Sequence, residues 1–320
     1  MTLRPTVALR VAITGTIIYI LVRTIDLSAV WKVLASAKSA PIALALGLSA
    51  ADRLFMFGKW LPLVRARIPG VRLIPAMRVY LASGLAQLLL PATVGADAMR
   101  AAAVGRSRGA IAEAGASIVA ERMLGVLASS LMSAVALAFA VREGLPLRFL
   151  VPWTACSIGV SVLILLLPFN RTVSSTARRV THGFAENALV RFVGRVGAGY
   201  AAYRERPRLL LVVGLLSVVE QCIPIAIMAT VAWSAGIHVT VPMVFVTMPL
   251  VMFVTRLPIS MGGIGVGDAA IVYLLGLFGM VNSDALAISI LCRVVDLPAM
   301  VLPGLVFWGD LVRPQERSPD

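Results

Sequence analysis

The chain has 320 residues, of which 59% are hydrophobic and 14% charged, with a mean hydropathy of +0.93 and a formal net charge of +14. Soluble domains carry roughly a quarter charged residues, so this composition excludes an ordinary soluble globule and fits a surface that faces lipid. The basic residues fall in short clusters between apolar runs, which argues against a nucleic-acid partner and for basic loops on one side of a membrane.

About 20 apolar residues cross a bilayer. In chain order, the spans are expected at 9–25, 41–58, 111–140, 148–168, 208–235 and 284–309. Arg4 and Arg10 precede the first run and no small-residue cleavage site follows, so it reads as an uncleaved span rather than a signal peptide. Two further apolar stretches, 74–92 and 241–257, each end in Leu-Pro and then glycine: Leu90-Pro91 with Gly95, and Leu257-Pro258 with Gly262 and Gly263. Proline removes a backbone donor and glycine tolerates positive φ, so together they break a helix. A break at membrane depth is tolerated only where protein or water satisfies the freed backbone groups. Both stretches are therefore expected to be re-entrant hairpins. The arginine-rich linker 170–208 is expected to lie on the membrane surface as an amphipathic helix, with Val196, Tyr200 and Tyr203 on its apolar face.

Charge placement gives the orientation. With the N-terminus inside, 20 of the 29 Lys and Arg residues fall in the inner segments 1–10, 59–78, 93–110, 170–208 and 311–320. Five fall in the outer segments, and Arg53, Arg122, Arg256 and Arg293 lie at membrane depth. That bias follows the positive-inside rule and puts both termini on the cytoplasmic side of a cell (inner) membrane.

The two hairpin regions share a pattern. Asp97-Ala98 is followed by Glu113 and Arg122, and Asp268-Ala269 by Asp284 and Arg293, at spacings of 16 and 25 residues in both copies. The copies start from opposite sides, so they form an inverted repeat, as in many secondary transporters with a midplane site. The expected architecture is a single all-α integral membrane domain over 1–320: about six transmembrane helices plus two re-entrant hairpins. The first half is about 41–140 and the second about 208–310.

Charges inside a membrane are costly and mark pathways or pairs. Here they are Asp52, Arg53, Glu121, Arg122, Glu220, Arg256, Asp268, Arg293 and Asp296. Neighbouring helix positions do not face each other, so Glu121 does not neutralise Arg122; partners are expected from the other half. One reading is a cavity whose arginines hold a lipid phosphate through their planar forks. The other is a set of interhelical ion pairs. The run Gly262-Gly263-Ile264-Gly265-Val266-Gly267-Asp268 opens the second returning helix, where bare N–H groups form an anion site, or where Asp268, like Asp97, is an N-cap. No catalytic set, metal site or cofactor motif is visible. Cys156, Cys222, Cys292, His182 and His238 lack ligand spacing.

Leu90-Pro-x-x-x-Gly-x-Asp97-x-x-Arg100, Ala120-Glu121-Arg122-x-x-Gly125 and Leu257-Pro-Ile-Ser-Met-Gly-Gly-Ile-Gly-Val-Gly-Asp268 resemble the motifs of the lysylphosphatidylglycerol synthase/flippase transmembrane family. The resemblance covers nearly the whole chain. It implies a lipid flippase fold with two hairpins meeting at the centre, and it brings Asp97, Arg100, Glu121, Arg122, Arg256, Gly262, Gly263, Gly265, Asp268 and Arg293 into the expected lipid site. Where the family pattern implies Gly-Gly-Asp and a final Glu, this chain has Ala96 and Asp268. The soluble aminoacyl-transferring domain of long members has no counterpart after the last span, so synthase activity is not expected. The expected partners are membrane lipids with an anionic headgroup, no nucleic acid, and a second copy or a lipid synthase. The competing expectations are a membrane-embedded transferase, whose nucleophile would face the cavity, and an accessory subunit of a synthase.

Overall fold

The computed structural model describes residues 25–89, 93–145, 147–169, 196–256 and 264–312, together with residues 15, 16, 19, 20 and 23. Among these, every regular element is helical. The helices are α1 (Leu27–Ala35), α2 (Ser39–Arg67), α3 (Leu73–Leu89), α4 (Thr93–Gly105), α5 (Ile111–Arg142) and α6 (Leu147–Phe169). They continue with α7 (Pro207–Glu220), α8 (Cys222–Ser234), α9 (Val241–Arg256), α10 (Val266–Gly276) and α11 (Asn282–Val312). Four stretches are long and apolar enough to cross a membrane: Ser39–Arg67, Ile111–Arg142, Pro207–Ser234 and Asn282–Val312. The protein is thus a multi-pass membrane protein. The expected span 9–25 lies mostly outside the described residues, as do the linker residues 170–195.

Two long helices organise the rest. α5 packs on α2, α4, α6, α7 and α9, and α11 packs on α1, α2, α3, α4, α8 and α10. Small residues permit this density. α5 buries Ala112, Ala114, Ala116, Ala120, Gly125 and Ala128, and close approach at small residues drives helix association in lipid. Ser130 Oγ donates to the Ser157 carbonyl (2.9 Å) and accepts from Ser161 Oγ (2.7 Å), fastening α6 to α5. Gly304 of α11 is pressed against Leu85 of α3, with no room for a side chain.

The short helices form two pairs, α3 with α4 and α9 with α10. In each pair the second helix packs on the long helix that follows it, α4 on α5 and α10 on α11. The first helix packs on the long helix of the other pair's region, α3 on α11 and α9 on α5. Glu113 and Asp284, the acids shared by the two copies, stand in the first turns of α5 and α11. A carboxylate there complements the positive end of the helix dipole.

Four sequence expectations change, three in helix limits and one in the linker. α2 runs past position 58 to Arg67, so Lys59 lies inside a helix and not in a basic loop. The apolar run Trp60-Leu61-Pro62-Leu63-Val64 continues the buried face, and Lys59 is tolerated because it meets an acid. Residues 93–105, placed in the inner segment 93–110 with Asp97 as a candidate N-cap, form α4 from Thr93 onward, which a 3-10 turn at Arg106–Arg108 connects to α5. Gly105 makes that turn possible, since a Cβ there would sit 2.6 Å from the Ala110 carbonyl oxygen. The outer segment 23–40 contains α1, whose N-cap Asp26 accepts from the Ser28 (2.9 Å) and Ala29 (3.2 Å) N–H groups. The Ser28 hydroxyl and those N–H groups hold the Asp26 carboxyl below its ordinary range.

The described end of the linker is helical over 196–201 and continues as a 3-10 turn at Ala202–Glu205. Tyr203 is fully buried rather than facing a membrane surface, and its hydroxyl donates to the Leu63 carbonyl (2.7 Å). That bond docks the linker on the end of α2.

Candidate lipid-headgroup cavity

A cavity of about 450 Å³ lies among α2, α3, α4, α5, α7, α8, α9, α10 and α11. Its lining includes Asp97, Arg100, Glu121, Arg122, Gly267, Asp268 and Arg293, so residues from both short-helix pairs face one space. Asp52, Arg53, Lys59, Glu220 and Asp296 also line it.

The first charge cluster lies on α4 and α5. Arg122 Nε donates to Asp97 Oδ2 at 2.5 Å. Arg100 Nη2 donates to Glu121 Oε2 at 2.8 Å and stands 3.8 Å from Asp97 Oδ1. Tyr80 from α3 donates its hydroxyl to Glu121 Oε1 at 2.8 Å. The Arg100 guanidinium lies over the rings of Trp60 and Tyr80, 4.9 and 4.7 Å from their centroids. Such cation–π contacts hold a guanidinium that has left water. Trp60 Nε1 in turn donates to Ser117 Oγ (3.0 Å), fixing the ring.

The second cluster lies on α10 and α11. Arg293 Nη2 reaches both oxygens of Asp268 at 2.8 Å. Asp268 also accepts from Ser289 Oγ (2.6 Å) and from the Gly265 N–H (2.8 Å). Gly265 has φ 78° and ψ −58°, close to the strained γ-turn conformation that favours glycine. That conformation aims its N–H at Asp268. The expected anion site at this helix start is therefore occupied in part by the protein's own carboxylate. Asp268 is the third residue of α10 and Asp97 the fifth of α4, so neither is an N-cap.

The arginines find partners inside their own half, at the 25-residue spacing, and not in the other half as the sequence suggested. The reason is that each short helix packs on the long helix that follows it, which brings the aspartate and the arginine of one copy face to face. Exposure divides the pairs. The Arg122 and Arg293 side chains are 32% and 35% exposed, toward the cavity, while that of Arg100 is 6%.

Sequence reasoning missed a second buried pair. Lys59 Nζ binds Glu220 across α2 and α7, with Ser217 as a further acceptor at 3.3 Å. The signal was there: Glu220 is an acid inside an apolar run and requires a base. Tyr80 and Trp60 also went unread, since nothing local distinguishes them from core aromatics. Asp296 accepts from Ser49 Oγ (2.6 Å), joining α11 to α2. Asp52 Oδ1 and Arg53 Nε are enclosed without a hydrogen-bond partner among the described residues. Arg256 ends α9, and its side chain lies outside the described residues, as do Gly262 and Gly263. Among the described residues, no group of three His, Cys, Asp or Glu side chains is placed to hold a metal.

The family model described as the lysylphosphatidylglycerol synthase TM region matches residues 7–304. The chain belongs to this family. No curated protein and no solved structure matches the chain significantly. Membership in the lysylphosphatidylglycerol synthase transmembrane family assigns a membrane-lipid-related function.

Proposed function

We propose that the protein is a lipid flippase, not an enzyme, and moves a polar lipid between leaflets with its headgroup in the central cavity. The observation that carries this reading is that two partly exposed Asp–Arg pairs, one from each short-helix pair, face the same space. A phosphate entering that space meets two guanidiniums, and guanidinium forks match phosphate oxygens. To bind them it must compete with Asp97 and Asp268. The carboxylates keep the arginines neutralised when the cavity is empty, and they accept a headgroup amine or hydroxyl when it is full.

The hairpin architecture belongs to this proposal. α3, α4, α9 and α10 have 17, 13, 16 and 11 residues. At 1.5 Å per residue they are roughly 17–26 Å long, short of the roughly 30 Å hydrocarbon core. Each pair then enters and leaves on one side, and the reciprocal packing of α3 on α11 and α9 on α5 fits an inverted repeat within one domain. Both termini lie in the cytoplasm of a cell with the protein in its inner membrane, as the basic segments indicate.

Reconstitution in liposomes with a panel of labelled phospho-, aminoacyl-, glyco- and hopanoid-type lipids tests the function. Acceleration of one headgroup class over protein-free liposomes is the expected result. Absence of acceleration for all of them, with the protein correctly inserted, would leave a partner role for a lipid synthase in its place. Cysteine labelling at positions 66 and 107 tests the topology: labelling from the same side is expected, and opposite sides would exclude the first hairpin.

A further inference from the structure

A second cavity, about 460 Å³, opens where the end of α2 meets the start of α7, lined by Leu61, Pro62, Arg65, Ala66, Arg206 and Leu209. It shares no residue with the central cavity. Its walls are apolar and its rim carries two guanidiniums, with no acidic side chain among the described lining residues. Arg65 Nε donates to the Val71 carbonyl (2.9 Å), which anchors the side chain and uses one of its five N–H donors. Arg206 is exposed and forms no ion pair among the described residues. It is the N-cap of α7, no side chain caps that end, and Pro207 follows without an N–H to satisfy.

Two guanidiniums and a helix end without a side-chain cap thus meet at the end of a membrane-length helix. Free phosphate would neutralise the rim but leave the half-buried Pro62 and Leu209 uncovered. An anionic phospholipid covers both, since basic pockets between helices at the membrane boundary take such headgroups.

We propose that this groove holds a resident anionic phospholipid, distinct from any lipid that is moved. Its phosphate lies between Arg65 and Arg206, and its acyl chain lies along Leu61, Pro62 and Leu209. The site stands independently of transport, because it bridges α2 and α7 outside the central cavity.

The test is titration of purified protein with labelled phosphatidylglycerol and, separately, phosphatidylcholine. It is run in wild type and in Arg293→Gln, so that lipid held centrally is counted apart. We expect phosphatidylglycerol to be preferred in both. Arg65→Gln with Arg206→Gln should weaken it about 30-fold, taking roughly 1 kcal/mol per arginine at a membrane surface. Arg206→Gln alone, at an exposed side chain, should weaken it about fivefold on the same basis and keeps the test valid if the double variant misfolds. Arg142→Gln, exposed at the end of α5, should have no effect. Equal binding of the two lipids overturns the proposal, as does phosphatidylglycerol binding unchanged by Arg206→Gln and the double variant. Full displacement by millimolar inorganic phosphate would show a free-anion site and also overturns it.

Discussion

The two charge clusters of the central cavity share an aspartate and an arginine 25 residues apart, yet they are built differently. Matched by that spacing, Arg100 and Glu121 of the first copy correspond to Ile271 and Cys292 of the second, and Ile118 corresponds to Ser289. The first cluster thus backs its exposed Asp97–Arg122 pair with a buried Arg100–Glu121 pair caged by Trp60 and Tyr80. The second has no buried pair and instead ties Asp268 down with Ser289 and the Gly265 N–H. What the copies share is the part open to the cavity. What differs is how each aspartate and arginine is held in place.

The largest test of that contrast is Glu121→Ala. It removes the direct partner of Arg100, whose side chain is 6% exposed, and leaves Asp97, at 3.8 Å, as its ion-pair partner among the described residues. Breaking a buried pair at one partner costs roughly 3–5 kcal/mol when the other is left uncompensated, and less here because Asp97 still offsets part of the charge. The expected outcome is a large fall in thermal stability in detergent, with much of it recovered when Arg100→Met and Glu121→Leu are combined, since replacing both partners removes the stranded charge. Cys292→Ala, at the matched position, should shift stability far less. Equal losses at the two positions would erase the asymmetry.

Gly265→Val comes next, because Val94 holds the matched place in the first copy. Val94 lies in the first turn of α4, whereas Gly265 has φ 78°. Valine at that angle is strained by roughly 1–3 kcal/mol and misdirects the N–H that binds Asp268. Reduced melting temperature and lost transport with normal membrane insertion are expected. Wild-type transport would show that the turn is an ordinary loop. Ser289→Ala removes one hydrogen bond to the same carboxylate, worth roughly 1.5–3 kcal/mol at most and less where the cavity admits water. Calorimetric or fluorescence unfolding reads it.

Much of this arrangement was legible in the sequence, and the unreadable part has a physical cause. The Asp–Arg spacing, the helix-breaking Leu-Pro-Gly segments and the charges inside apolar runs mark both clusters without coordinates. Helix limits were close for α5, α6 and α11, where long apolar runs leave little choice. Pairing was not legible, because it depends on which helix face meets which. Asp97 meets Arg122 only because α4 folds back onto α5 through the turn at Gly105. Lys59 was assigned to a loop because charge alone suggested water, while its partner Glu220 lies 161 residues away. Asp26 and Ser28 are a plain N-cap signal for α1, masked by the two lysines that follow at positions 32 and 38.

The smallest expected effect on stability, and the sharpest test of function, is the pair Arg122→Gln and Arg293→Gln. Both side chains are about a third exposed to the cavity. Partly solvated ion pairs contribute roughly 0–1 kcal/mol, so each variant should keep its fold. Glutamine retains hydrogen-bonding capacity and removes only the charge that a phosphate would meet. If both arginines serve one headgroup, each variant should lose transport in liposomes by tenfold or more while melting within a few degrees of wild type. The clusters should still differ in degree. Arg122→Gln leaves Arg100 standing 3.8 Å from Asp97, so a cation remains beside that carboxylate. Arg293→Gln leaves Asp268 with hydrogen bonds from Ser289 and Gly265 but no ion pair among the described residues. Arg293→Gln should therefore be the more damaging of the two to transport. A large stability loss in either variant, rescued together with transport by neutralising Asp97 or Asp268, would mean that the pairs only brace the bundle. The headgroup assignment would then fail.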